Sequence, residues 1–173
     1  MLHVGCGPIK LEGYVNIDIS PSHEPDICGD ILTMDFNEVD AIYSCHMIEH
    51  LSVPDAAKAF GLFHKWLKYG AVLRLAVPSL ALAAQAYVNG SDMKFLYGAE
   101  FKGYYLHDTP CERFNFFMKE WDHRLTYDFR QMQEMLFRAG FRFVFQREAN
   151  ESVIPNFNHD RFIPESLYLE AIK

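Results

Sequence analysis

The sequence predicts an α/β fold, and three observations predict it. A short apolar run, Leu2 to Val4, ends in Gly5-Cys6-Gly7-Pro8, as a buried strand entering a tight turn does. A strand-like run at 39–45 is followed by a capped helical pattern and a further apolar run at 71–77. A second helical pattern, 127–139, stops at Gly140 and leads into the alternating run Phe141 to Phe145.

Each element follows in order. Tyr14 to Ile19 alternates as a second strand and closes at Ser20-Pro21. Asp26 to Asp30 forms a short segment, and Val39 to Cys45 supplies the next strand. Ser52-Val53-Pro54-Asp55 has the spacing of a capping box, Ser followed three residues later by an acid, with Pro in the first turn, so a helix starts there. Its apolar positions Ala56, Ala59, Phe60, Phe63 and Leu67 recur at helical spacing, and Gly70 reads as its stop before the strand Ala71 to Val77. Residues 80–120 read as an Ala-rich helix and then an irregular, mostly helical insert carrying Tyr97, Phe101, Tyr104, Tyr105, Phe114, Phe116 and Phe117. The last strand is Ser166 to Ile172. No repeat or linker breaks this order, so 1–173 reads as one domain. Its first strand begins at Leu2 with no helix before it, as in a minimal domain or a chain lacking a piece.

Composition supplies a core and excludes some partners. Of 173 residues 50% are apolar and 15% aromatic, enough to cover a sheet on both faces. The net charge is -7 and the 16 Lys and Arg are scattered singly, which argues against extended nucleic-acid binding. The four cysteines form no C-x-x-C pair, which fits free thiols and a cytoplasmic location. The longest apolar stretch, Ala71 to Val88, contains Arg74, Pro78 and Gln85, so no membrane span is expected.

Gly5-Cys6-Gly7 after a first strand bares the backbone to a ligand, because neither glycine presents a Cβ. Asp18, at the carboxyl end of the second strand, sits where a ribose diol can donate to it. Gly29-Asp30-Ile31 places another acid at the end of the next segment, suited to an adenine amino group. A dinucleotide site needs a helix whose amino end holds the pyrophosphate, and the acid about 20 residues on. Here Asp18 follows Gly5 by 13 residues and no full helix fits between, so the site suits S-adenosylmethionine (SAM), a nucleoside without phosphate.

Leu2 to Pro8 with Gly13 to Asp18 resembles the opening of a small group of class I methyltransferases, the type 11-like group. Residues 39–51 resemble that group's fourth strand and following loop, residues 73–79 its fifth strand, and His123, Tyr127-Asp128, 139–141 and 165–171 its tail. The chain departs from the group in Lys68-Tyr69-Gly70, where a Lys-Pro-Gly-Gly turn is usual, and in lacking the helix after the first strand. The resemblance implies a Rossmann-like three-layer sandwich with a seven-stranded, mostly parallel sheet in order 3-2-1-4-5-7-6, strand 7 antiparallel. It implies that Gly5, Cys6 and Gly7 line the methionine and ribose, that Asp18 binds the ribose hydroxyls, and that Ile19 beside it also contacts the cofactor. Gly29, Asp30 and Ile31 would hold adenine, and Ser44, Cys45 and His46 would face the sulfonium. The cofactor would leave as S-adenosylhomocysteine.

Methyl transfer from a sulfonium is an in-line displacement at a carbon already activated by positive sulfur, so alignment and exclusion of water dominate, and a base serves only where the acceptor carries a proton. His46 and His123 are the candidates for that base. The aromatic insert would cover the acceptor, and Arg147, Glu151, Asn156, Asn158 and Arg161 could contact a polar one. The expected acceptor is an oxygen or nitrogen of a small metabolite or saccharide. Two other readings stand beside this one. His46-Met47-Ile48-Glu49-His50 fits the H-x-x-E-H zinc-peptidase signature, which requires a sustained helix, although no metal is expected here. A module that binds SAM without turnover is the other.

Overall fold

The computed structural model describes residues 1–91, 109–119 and 121–173. Its elements are β1 (Leu2–Val4), β2 (Val15–Asp18), β3 (Ile27–Cys28), β4 (Val39–Cys45), α1 (Val53–Trp66), β5 (Leu67–Pro78), α2 (Leu80–Val88), α3 (Pro110–Lys119), α4 (Phe129–Ala139), β6 (Phe143–Arg147) and β7 (Ser166–Ile172). One seven-stranded sheet runs β3-β2-β1-β4-β5-β7-β6, the order expected from the resemblance. β1 pairs in parallel with β2 and β4, and β7 runs antiparallel to both β5 and β6.

Alternation along the central strands sorts side chains to two faces. Ile42 of β4 and Leu73, Leu75 and Val77 of β5 face the main core, where they meet Ala56, Ala59, Phe60, Phe63 and Trp66 of α1 and Met132 and Leu136 of α4. α1 forms where the capping box predicts it: Ser52 Oγ accepts from the Asp55 N–H at 3.3 Å, and Pro54 lies in the first turn. α4 is capped by Asp128, whose carboxylate accepts from the Gln131 N–H at 2.7 Å. It stops at Gly140 in a left-handed conformation at φ 107°, which glycine adopts without steric cost.

Gly70 does not end α1. The helix stops at Trp66, and Leu67 already pairs with Val39 as the first residue of β5. Leu67 is buried from either geometry, so its four-residue spacing from Phe63 reads equally as a further helical turn. The ladder then shifts register between Val39 and Ala41, which accommodates the exposed Tyr69 and Gly70.

The opposite face of the sheet carries Tyr14, Ala41, Tyr43 and Val72 and is covered by Ile154 and Phe157. The outer layer there is the irregular chain between β6 and β7, in the space left by the missing first helix. A buried ionic group fastens it. Arg74 of β5 is fully buried and pairs with Asp160, itself buried; it also donates to the carbonyls of Glu151 at 2.7 Å and Glu148 at 2.9 Å. Glu170 of β7 lies 3.8 Å from Arg74 and accepts from Arg147 Nε at 3.0 Å. Two cations therefore face two carboxylates, and the guanidinium's donors are satisfied.

Of the aromatic insert, Tyr97, Phe101, Tyr104 and Tyr105 lie outside the described residues; Phe116 and Phe117 are buried, Phe117 against Ala83 and Ala86 of α2. Among the described residues, no helix is long and apolar enough to cross a membrane.

Removing one member of a buried pair strands the other charge, at a cost of about 3–5 kcal/mol. Asp160→Ala is expected to lower the urea-unfolding free energy by that order, and a loss below about 1 kcal/mol would show that the group does not fasten the 148–160 chain.

Candidate functional site

The carboxyl ends of β1, β2 and β4 meet in one place because these strands are adjacent and parallel, and the polypeptide leaves each of them by a sharp turn. Gly5 (φ 68°) and Gly7 (φ 55°) both occupy the left-handed region. A Cβ on Gly5 would lie 2.4 Å from Met47 Cγ, so the turn after β1 and the turn after β4 touch only because Gly5 has no side chain. A Cβ on Gly7 would meet nothing within 4 Å. Gly7 instead borders a crevice of about 380 Å³, together with Gly5, Cys6, Cys45, His46, Arg161 and Phe162.

Asp18 ends β2 beside this turn. Its carboxylate accepts from the Gly7 N–H at 2.8 Å, from the Ser20 N–H at 2.8 Å and from His23 Nδ1 at 3.1 Å. Burial opposes ionisation of Asp18, but the Ser20 and Gly7 amides and the His23 ring outweigh it and hold the carboxyl below its ordinary value. The glycine turn and the acid 13 residues away are thus brought into direct contact. Ile19 next to Asp18 is 71% exposed, an apolar surface open to a planar ligand. Asp30 stands at the end of the segment after β3, exposed, and accepts from the Leu32 N–H at 2.9 Å, which starts a short 3-10 turn containing the buried Ile31. Gly29 hydrogen-bonds back to the Asp18 carbonyl at 2.9 Å, tying the two acidic ends together.

The three residues closing β4 separate by face. Cys45 and His46 line the crevice, whereas Ser44 is buried between β1 and β5, its hydroxyl without a hydrogen-bond partner among the described residues. Burial pushes the Cys45 thiol up to about 12, which keeps it from acting as a nucleophile. His46 holds a left-handed backbone at φ 51°, with Nε2 2.7 Å from Ser166 Oγ and its ring 4.4 Å from that of Phe162. Burial first, then the nearby His123 and His50, push its pKa down to about 3, so the ring is neutral at physiological pH.

His123 does not reach the crevice lining. It lies behind Glu49, its ring 5.2 Å from that of His50. The five residues His46 to His50 form no sustained helix: His46 is left-handed and only Ile48–His50 make a 3-10 turn, which ends at Leu51. The peptidase geometry, two histidines one α-helical turn apart, is therefore not built.

Some contributors were hidden in the sequence. Asn16 is buried and binds the Leu11 N–H at 2.8 Å and the Asp26 carboxylate at 2.8 Å, ordering the 8–14 loop that stands in place of a helix. Its only sequence signal is a polar residue inside an apolar strand. Tyr43 donates to the His159 carbonyl at 2.9 Å and Tyr168 to the Arg161 carbonyl, which brings Arg161 and Phe162 over the crevice. Arg147 and Glu151, expected to meet a polar acceptor, are engaged with Glu170 and the Glu148 amide respectively.

No family model matches the chain, and no curated protein does. Solved structures do. A SAM-dependent methyltransferase from Archaeoglobus fulgidus superposes with a TM-score of 0.58 at 14% identity, over 99% of this chain and 85% of that one. A possible exported protein from Bordetella parapertussis gives 0.63 at 15% identity, over 99% and 60%. Mycolic acid cyclopropane synthase CmaA1, solved with S-adenosylhomocysteine, gives 0.55 at 20% identity, over 84% and 56%. The fold is the Rossmann-like fold of class I SAM-dependent methyltransferases.

Gly5→Ala would combine a left-handed alanine with the Met47 clash and is expected to cost about 1–3 kcal/mol of unfolding free energy or more. Gly13→Ala, also left-handed (φ 81°) but without a neighbour within 4 Å, should cost only about 1 kcal/mol. Equal losses in chemical denaturation would show that Met47 does not require the bare backbone at Gly5.

Proposed function

We propose that this chain is a SAM-dependent methyltransferase domain that transfers the methyl group to an oxygen or nitrogen of a small metabolite or saccharide. The observation that carries the proposal is the contact between the Gly7 amide and Asp18 at the rim of a crevice of suitable size for a nucleoside. The fold supports it, because open α/β sheets bind ligands beyond the carboxyl ends of their strands.

In this reading the crevice along Gly5, Cys6 and Gly7 takes the methionine and ribose, and Cys45 and His46 face the sulfonium. Ile19 packs on adenine, and Gly29, Asp30 and Ile31 frame its edge. A carboxylate offers about four acceptor sites. Asp18 already uses three, so a ribose diol displaces one existing donor, for which the Gly7 amide at the crevice rim is best placed. SAM supplies the activated methyl when bound; the chain's own part is to hold it in line and keep water out.

A second cleft, of about 340 Å³, opens at the ends of β5, β6 and β7 and is lined by Ser79, Leu82, Phe129, Arg147, Ser166 and Tyr168. Ser166 also contacts His46, so this cleft joins the crevice through one residue, and its hydroxyls and apolar walls suit a polar acceptor such as a sugar. Of the two candidate bases, His46 lines the crevice and His123 does not, and burial makes the His46 ring a weak base.

Calorimetry is expected to show one SAM and one S-adenosylhomocysteine bound per chain, with Asp18→Ala weakening both by roughly tenfold or more, the loss of a charge-assisted hydrogen bond. A radiolabelled-methyl screen over hydroxyl and amine metabolites and sugars is expected to yield an acceptor. Absence of SAM binding overturns the proposal; tight binding with no acceptor favours the module without turnover.

A further inference from the structure

The 3-10 turn after β4 carries a buried carboxyl group that no hydrogen bond among the described residues satisfies. Glu49 is fully buried, and neither of its carboxylate oxygens has a hydrogen-bond partner among the described residues. Its nearest basic neighbour is His46 Nδ1 at 3.6 Å. An unpaired buried carboxylate is costly unless a cation or a proton accompanies it. Two imidazoles flank it. One ligating atom from each of Glu49, His50 and His123 lies within 4.8 Å of the others, a convergence produced by a chain reversal: the amides of Arg124 and Leu125 both donate to the Glu49 carbonyl, at 2.9 and 3.2 Å. His123 is thereby held over the turn although it stands 73 positions beyond His50.

Both rings are anchored by backbone carbonyls. His123 Nδ1 is 3.0 Å from the Phe117 carbonyl and His50 Nδ1 is 3.3 Å from the Asp122 carbonyl. A carbonyl only accepts, so each Nδ1 carries the proton and each Nε2 keeps its lone pair. A backbone carbonyl behind a ligating histidine is the usual outer partner, fixing tautomer and ring plane. Donors around one small ion stand about 3.3 Å apart, from bonds of about 2.0–2.1 Å, so modest side-chain rotations within the 4.8 Å cluster close the set.

We propose that Glu49, His50 and His123 form a site for one first-row divalent transition-metal ion. One carboxylate and two imidazoles favour zinc, manganese, cobalt or iron over calcium or magnesium. Three protein ligands leave coordination positions for water or an oxygen-bearing ligand. The ligand set differs from the peptidase signature: His46 is excluded, since its Nε2 is held by Ser166, and Glu49 binds the ion instead of serving as a base.

The test uses the full chain stripped with chelator and titrated with Co²⁺ in the absence of SAM, so its outcome bears on the ion alone. The expected result is one Co²⁺ per chain by calorimetry, visible d–d absorption of a nitrogen and oxygen site, and a rise in melting temperature. Glu49→Gln keeps the shape but cannot become an anionic ligand; it should weaken Co²⁺ binding by roughly tenfold or more. His123→Ala should weaken it similarly, and His64→Ala, whose ring packs against Gly140 and Phe141, should leave it unchanged. Failure to bind Co²⁺ stoichiometrically, or binding unaltered in Glu49→Gln, overturns the proposal.

Discussion

A guanidinium in the middle of a central strand sets the shape of half this molecule. Arg74 lies in β5 with no access to water, so its charge and its donors must be answered by protein. Asp160 and two carbonyls of residues 148–151 answer them, and Glu170 with Arg147 completes the balance. The consequence is that the chain between β6 and β7 cannot leave the sheet. It wraps the face where a first helix would pack, inserts Ile154 and Phe157, and arrives at the crevice as Arg161 and Phe162.

The other half of the crevice is set by close backbone approach. β1 and β4 are neighbours, and the turns that leave them would collide if Gly5 had a side chain. Gly7 then turns its amide to Asp18, and Gly29 returns to the Asp18 carbonyl. Three strand ends are in this way laced by main-chain groups, which makes a rim of fixed donors and acceptors around an open space.

Much of this was legible in the residues and some was not. The strand and helix order follows from periodicity and caps: Ser52 with Asp55 begins α1, and Gly140 ends α4. Gly70 misled because Leu67 keeps the helical spacing while its backbone has already joined the sheet. Arg74 reads in sequence only as a poor fit to a bilayer, since its partners lie 86 and 96 positions away. Gly5, Gly7 and Asp18 could be associated because few residues separate them and the loop is too short for a helix. The meeting of Glu49 and His50 with His123 depends on a reversal at 121–125 that no local pattern announces. Ser44 shows the limit of strand-end reasoning, for alternation turns it into the core while Cys45 and His46 face the crevice.

The central claim is that backbone exposed at Gly5 to Gly7, with carboxylates at the ends of β2 and β3, cradles an adenosine. The most direct measurement is a crystal structure grown with S-adenosylhomocysteine. The account predicts its ribose at Asp18, its adenine between Ile19 and Asp30, and its sulfur toward Cys45 and His46. Density for the nucleoside elsewhere, or a crevice closed over by side chains at saturating ligand, would contradict it.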